Sequence, residues 1–186
     1  LGSQGGARLV LGPVHLASNR AAAALATDPG TILELTDATV VDTLSRALDL
    51  DFGRGLDVEL GARATVTRGR FARNREIAIF ADGRGTELTL LDLEVRDTRG
   101  REAVGDQGGG MAVQRGTHAT VERAAFLANR GVGVFVGGEG TWCGMTGVDV
   151  RGTLEMGVAD PACGCAAGTA VVVMESAAAE LIGFRL

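Results

Sequence analysis

The stretch GARATVTRGRFARNRE, residues 61–76, decides the fold because the chain contains it three times in related form. It returns 55 positions later as GTHATVERAAFLANRG (116–131), and GARLVLGPVHLASNRA (6–21) precedes it by the same interval. A fixed interval of this length is typical of repeat proteins, in which each unit forms one element that stacks on its neighbours.

Small residues mark the beginning and the middle of each 55-residue repeat, and so divide the repeat into two shorter units. The interval between markers alternates between 24 and 31 residues, and it is 36 residues in the last case. The pattern therefore predicts seven similar starts along the chain. The markers are Gly6, Gly30, Gly61, Gly85, Gly116, Gly140 and Ser176.

Apolar residues recur at the third, fifth and tenth positions after each marker, and the residue between the third and the fifth is polar or small in every unit except the first, which has Val10. This alternation with a period of two indicates β-strands, and helical spacing is absent from these stretches. A second apolar pair, such as Leu56 and Val58, follows later in each unit. The fifth-position column is Leu11, Leu35, Val66, Leu90, Val121, Met145 and Leu181.

A unit of 24 residues has room for three short strands and three bends. The solution that fits this length is a solenoid in which each strand pairs, in parallel, with its counterpart in the next unit. The leucine-rich consensus that would indicate a different repeat fold is absent. The many small residues, including 29 Gly, suit a narrow core.

The phrase G-x-x-L-x-V-x-x-G-x-F-x-x-N-x-…-G-V-F-V resembles the coil of right-handed parallel β-helix proteins of the pectin-lyase-like class. The resemblance covers about residues 6–186 and implies right-handed winding. We expect an all-β parallel β-helix of about seven coils in 55-residue two-coil repeats, forming one domain over 1–186 that is a segment of a larger protein. The class contains lyases, hydrolases, adhesins and stalks, so the resemblance implies no single activity.

The charge and composition limit the partners. The net charge is −5, which argues against nucleic acid, and no apolar run reaches the 18 residues that a membrane span needs. Cys143, Cys163 and Cys165 with two His make a zinc site improbable, and no cofactor is expected. Cys143 falls on an inward column, whereas the other two cysteines permit a CxC disulfide or free thiols.

The thirteenth residue after the markers forms a polar column, for which we expect a structural ladder at one bend. Asn tolerates the left-handed conformation of a sharp bend, and its amide can bond to the layers above and below. Ligand binding by these amides is the alternative. The column is Asn19, Thr43, Asn74, Thr98, Asn129 and Thr153.

Three inserts, 44–53, 99–108 and 154–168, lengthen every second unit at the same corner. Loops on a rigid scaffold often carry function, and paired carboxylates can hydrolyse a glycoside. Carboxylate oxygens can also hold Ca²⁺, while plain solvated loops are the third interpretation. The candidate catalytic residues are Asp49, Asp51, Glu102, Asp106 and Asp160.

Trp142 and Arg101 are the candidate binding residues outside the carboxylate set. Trp142 lies on an outward column, where its ring can stack on a sugar or cover a loop. Arg101 lies in the second insert among the acidic residues.

The regular repeats, and the absence of converging polar residues on the strand faces, favour a non-enzymatic structural or binding module. We expect it to belong to a secreted or cell-surface bacterial protein, extracellular, acting as a stalk or in adhesion or carbohydrate contact. The expected partners are polysaccharide or cell-surface components, together with end-to-end self-association. The alternative is a polysaccharide lyase or glycoside hydrolase with its site at the three inserts.

Overall fold

The computed structural model describes residues 1–156 and 168–186, and its regular structure within those ranges is entirely β-strand. No helix in these ranges is long and apolar enough to cross a membrane. The strands are β1 (Gly2–Ser3), β2 (Arg8–Leu11), β3 (Val14–Ala17), β4 (Ala22–Thr27), β5 (Ile32–Val41), β6 (Arg54–Glu59), β7 (Arg63–Ala72), β8 (Ile77–Asp82), β9 (Glu87–Arg96), β10 (Gly109–Gln114), β11 (His118–Leu127), β12 (Val132–Gly137), β13 (Trp142–Thr146), β14 (Asp149–Arg151), β15 (Thr169–Met174) and β16 (Ala178–Ile182).

The strands form two sheets in which the described pairs are all parallel. The short-strand sheet has the order β1-β4-β6-β8-β10-β12-β15, and the long-strand sheet has the order β2-β5-β7-β9-β11-β13-β16. Strands β3 and β14 extend the long-strand sheet by pairing with β5 and β11. We call one strand of each sheet, with its links, a layer. The alternation of the two sheets along the chain fits a β-solenoid.

The predicted stacking of equivalent residues is confirmed by the strand register. The fifth-position column, from Leu11 to Leu181, consists of Cα partners from layer to layer. In the short-strand sheet, Leu56 and Ile79 are partners in the same way. Each layer alone exposes its apolar side, so stacking is what removes these side chains from water.

The core is the narrow space between the two sheets. Phe71 and Phe126 are its largest fully buried residues, and Leu35 and Val66 stack beside them. Burial of each such side chain contributes about 1.5–3 kcal/mol before the chain entropy is counted. Small and medium residues, mainly Ala, Val and Leu, predominate in this core.

Each long strand bends at the seventh residue after its marker, where the backbone is left-handed. The φ values there include 54° at Asp37 and 55° at Arg68, and the pairing of β5 with β7 skips these two residues. A further left-handed corner lies at the twelfth position, as at Arg73 (55°). The predicted left-handed conformation at the thirteenth position is wrong, since Asn74 and Asn129 are not left-handed.

Candidate functional site

The outer face of the short-strand sheet carries a cluster of charged side chains. Leu56 and Val58 of β6 point into the core, so Asp57 and Glu59 point outward, beside Phe80 of β8. The expectation that no polar residues converge on the strand faces is therefore wrong.

Arg54 is the centre of this cluster. Its Nε donates to Glu76 Oε2 at 2.8 Å, and its Nη1 donates to Asp57 Oδ2 at 3.0 Å and to Glu59 Oε1 at 3.1 Å. Its guanidinium carbon lies 3.7 Å from the centre of the Phe80 ring. We call Arg54, Asp57, Glu59 and Glu76 the acidic network.

Three of the four side chains of the acidic network are almost closed to water, and the fourth, Glu59, is 31% exposed. The side chains of Arg54, Asp57 and Glu76 are 9%, 10% and 8% exposed. Asp57 Oδ1 is fully buried and has no hydrogen-bond partner. Burial, opposed by the charge of Arg54 and reinforced by that of Glu59, raises the pKa of the Asp57 carboxyl to about 7. A buried carboxyl in this environment takes up a proton near neutral pH.

Asp82, on the neighbouring strand β8, is also buried but has a full counter-ion. Arg115 donates to its two oxygens from Nε at 2.5 Å and from Nη2 at 2.6 Å. This two-point pairing gives both oxygens of Asp82 a hydrogen-bond partner, whereas Oδ1 of Asp57 has none.

An apolar groove of about 210 Å³ lies on the same face, over β10 and β12. Its floor includes Ala112 and Phe135, and the second and third inserts contribute Gln107 and Met156 to its lining. The Phe135 ring lies along the strand over Gly137, where an added Cβ would come within 2.6 Å of the ring. The groove therefore presents one flat aromatic ring with amide groups at its border.

The first two inserts bind each other through Arg101. Its Nη1 donates to Asp51 Oδ1 at 2.8 Å, and its Nε donates to Asp106 Oδ1 at 2.7 Å. Three of the sequence-predicted site residues are thus brought together, but as a charge-paired junction. The Leu50 carbonyl accepts a hydrogen bond from the Ala103 amide at 3.1 Å and adds a backbone contact.

The two other candidate carboxylates of these inserts have arginine partners of their own. Arg46 Nε donates to Asp49 Oδ1 at 3.1 Å, and Arg75 Nε lies 3.3 Å from Glu102 Oε1. The hydrogen bonds from Arg46 lower the pKa of Asp49 to about 2. Asp49 is therefore ionised at neutral pH and cannot serve as a general acid there.

Asp51 is held in its ionised form as well. Although burial alone acts to raise its pKa, hydrogen bonds from Arg101 and from the Phe52 amide lower it overall. Neither Asp49 nor Asp51 has the raised pKa of a catalytic acid.

One arginine in each 55-residue unit anchors an insert, which the sequence argument did not foresee. In all three cases the guanidinium donates to the carbonyl oxygen of the insert's second residue. The bonds run from Arg20 to Ser45 (2.9 Å), from Arg75 to Gly100 (2.9 Å) and from Arg130 to Glu155 (3.3 Å).

The thirteenth-position column joins layers through two buried asparagines. Asn74 Oδ1 accepts from the Thr43 amide at 3.1 Å, and its Nδ2 donates to the Val40 carbonyl at 3.1 Å. Asn129 makes the same pair of bonds to the Thr98 amide (3.2 Å) and the Val95 carbonyl (3.1 Å). These four partners are backbone groups of a neighbouring layer.

The other members of the column are less engaged. Asn19 makes one long bond, to the Ala17 carbonyl at 3.4 Å, and Thr153 is half-buried. Thr98 Oγ1 donates to Asn129 Oδ1 at 2.8 Å, whereas the equivalent Thr43 Oγ1 is buried without a partner.

Trp142 lies on the outer face of the long-strand sheet, beside His118 of the adjacent layer. The two residues are Cα partners and their ring centres are 6.2 Å apart. The indole ring lies over Gly144, where an added Cβ would come within 2.5 Å of it. Trp142 is half-buried and forms a flat surface separate from the groove.

The remaining sequence candidates give no metal or thiol site. Within 1–156 and 168–186, no three His, Cys, Asp or Glu side chains are grouped closely enough to hold a metal ion. Cys143 is fully buried, as predicted, and burial raises its pKa to about 12, which rules it out as a nucleophile. Asp160, Cys163 and Cys165 lie outside the described residues.

No family model, curated protein or solved structure matches this chain. The functional assignment therefore depends on the geometry and chemistry of the acidic network, the groove and the Trp142 surface.

Proposed function

We propose that this chain is a non-enzymatic binding module of a secreted or cell-surface bacterial protein, and that it contacts polysaccharide through the groove. The fold that we propose is a right-handed parallel β-helix of about seven coils, of the pectin-lyase-like type. Two in-register parallel sheets and the repeated coil phrase support it.

The observation that carries the proposal is the lining of the groove. One face of a pyranose ring is mostly C–H and packs well on a flat aromatic ring, here that of Phe135. Sugar hydroxyls need donors and acceptors, which the amides of Gln107 and Gln114 supply at the border. Arg130, the charged residue of the lining, donates to the Glu155 carbonyl at 3.3 Å, so the ring and the two neutral amides are the groups left for a ligand, and they fit a sugar.

The test is a panel of soluble polysaccharides measured by affinity electrophoresis and calorimetry. Phe135→Ala removes the ring and is expected to weaken binding about tenfold, which corresponds to ~1.4 kcal/mol. Leu60→Ala is the matched control, because Leu60 is an exposed apolar residue that does not line the groove. Equal affinities of the two variants for the polysaccharide would show that the groove is not the binding site.

Trp142→Ala distinguishes, in the same assay, between binding at the groove and binding at the Trp142 surface. If polysaccharide binds in the groove, this variant has the same affinity for it as the unmodified protein. A loss confined to Trp142→Ala would move the binding surface to the long-strand sheet.

A polysaccharide lyase or glycoside hydrolase is the second candidate, and one observation favours it. Asp57, with its raised pKa, lies next to Glu59 on one strand, and both bind the same Arg54 nitrogen. Hydrolysis of a glycoside uses two carboxyl groups in different protonation states. The burial of Asp57 Oδ1 keeps substrate away from that atom and favours the binding module.

The two candidates differ in their products. An enzyme releases new reducing ends or unsaturated sugars, and both Asp57→Asn and Glu59→Gln abolish that release. A binding module releases none from any polysaccharide that it binds. The expected extracellular location and end-to-end self-association stay predictions, and sedimentation over a range of concentrations checks the second.

A further inference from the structure

The first insert, 44–53, is held against the acidic network by one aromatic ring. The guanidinium carbon of Arg54 lies 4.9 Å from the centre of the Phe52 ring, and that of Arg46 lies 4.6 Å from it. Arg54 also stacks on Phe80 of the sheet, so it is the link between the insert and β8. Contacts of this kind are strongest when the cation is fixed and shielded from water.

The backbone of this insert is strained and depends on such contacts. Leu50 and Phe52 have φ values of 60° and 62°, in the left-handed region that bulky residues rarely adopt. An insert in this conformation relaxes when its contacts weaken. The position of Arg54 therefore contributes to how firmly the insert is docked, beside the hydrogen bonds from Arg20 and Arg101.

The position of Arg54 depends in turn on the charge of the surrounding carboxylates. Fully ionised, the acidic network holds three negative charges and one positive charge, and of these four groups only Glu59 has substantial access to water. Strand β4, on the other side of β6, places Leu25 and Thr27 on this face and adds no charge. The charged or titratable groups around Asp57 are Arg54 and Glu59 on β6, Glu76 before β8, Asp82 on β8, Arg115 after β10 and Arg46 in the insert.

We propose that Asp57 is a proton-binding site that controls the docking of the insert 44–53 on the short-strand sheet. With its proton, Asp57 leaves Arg54 to balance Glu59 and Glu76 and to keep its place against Phe52. When the proton passes to solvent, a second unbalanced negative charge appears beside the unpartnered Oδ1. Water then enters the network and Phe52 leaves Arg54.

The direction of the pH dependence follows from the raised pKa of Asp57, which is about 7 in the docked state and close to its ordinary value of 3.8 in a hydrated one. Docking is most stable below about pH 4, weakens as the pH rises towards 7, and is constant above that. Within this window a one-proton linkage changes the opening equilibrium by up to about tenfold per pH unit. Acid therefore tightens the insert and neutral pH loosens it.

Hydrogen–deuterium exchange of the insert, corrected for the intrinsic pH dependence of amide exchange, tests the proposal. We expect protection of the Leu50, Gly53 and Ala103 amides, each a donor in the insert or at its junction, to fall from pH 4.5 to 7 and then level off. Asp57→Asn keeps the shape but cannot ionise, so its protection is expected not to vary. Asp37→Asn, at an exposed corner away from the network, is the control and should behave as the unmodified protein does.

A second measurement needs no variant and no glycan. The side-chain carboxyl carbon of Asp57 and the ring protons of Phe52 and Phe80 are followed by NMR across the same pH range. We expect one common midpoint, above the ordinary 3.8 and no higher than about 7, because opening of the insert lowers the observed pKa from its docked-state value. A carboxyl that titrates near 4, insert protection that is constant from pH 4.5 to 7, or an unchanged pH profile in Asp57→Asn would each overturn the proposal.

Discussion

Replacing Asn74 with alanine tests whether buried asparagines hold neighbouring layers together. The substitution removes both of its hydrogen bonds and leaves the Thr43 amide and the Val40 carbonyl without partners in a dry environment. Each buried polar group left unpaired costs about 1–3 kcal/mol, so the expected loss of unfolding free energy is about 2–5 kcal/mol. For a chain of this length the melting temperature falls on the order of 10 °C.

Asn19 offers a matched control at the equivalent position of the first layer. Its side chain makes only the long bond to the Ala17 carbonyl, so Asn19→Ala is expected to cost about 0.5 kcal/mol or less. Both variants are measured by urea and thermal unfolding, followed by circular dichroism at a strand wavelength. If Asn74→Ala loses no more stability than Asn19→Ala, these amides do not join the layers.

Four other substitutions give three independent tests. Thr98→Val removes a hydroxyl that donates to Asn129 and should destabilise by ~1 kcal/mol, whereas Thr43→Val removes an unpartnered buried hydroxyl and should be neutral or stabilising in the same unfolding assay. Arg75→Ala should release the second insert, seen as faster proteolysis within 99–108 with the strands still protected; equal proteolysis would contradict the anchor. Gly144→Thr should displace the ring of the single Trp and shift its fluorescence, and an unchanged spectrum would show that the ring is not where we place it.

The arrangement of the sheets was predictable from the sequence because stacked layers impose the same environment on the same column. Leu11, Leu35 and Val66 occupy one column and are Cα partners, as the 55-residue spacing predicts. Their period-two alternation also gave the correct inward side. Handedness has no such signal in the spacing.

The conformation of the bends was less predictable, because several residue types serve at the same corner. Left-handed backbone occurs at Asp42, Arg73 and Ala128, which share no chemistry. The left-handed conformation was predicted for the asparagines one position later, because Asn tolerates it. The backbone partners of their amides in fact explain why Asn occurs there.

The acidic network was missed because outward charges on a strand usually face water. The burial of Asp57 results from neighbours that are far apart in sequence, namely Glu76 and the ring of Phe80, gathered around Arg54. A signal was present, since β6 has charged residues at both outward positions where β10 has Ala112 and Gln114.

The first two inserts meet, but the two carboxylates at their junction are partners of one arginine. Arg101 joins Asp51 to Asp106, and spacing alone does not reveal which arginine an acid will bind across two loops. Charge pairing of this kind is decided by three-dimensional proximity.

An arginine holds the second residue of each insert. The length of the loop can therefore vary independently of the positions of the strands. Since the carbonyl is fixed at the point where the loop leaves the sheet, residues further along can be added or exchanged without moving the strands. Every second layer then carries one anchored attachment point for a loop. Foreign peptides inserted there would be displayed in a row along one side of a rigid rod.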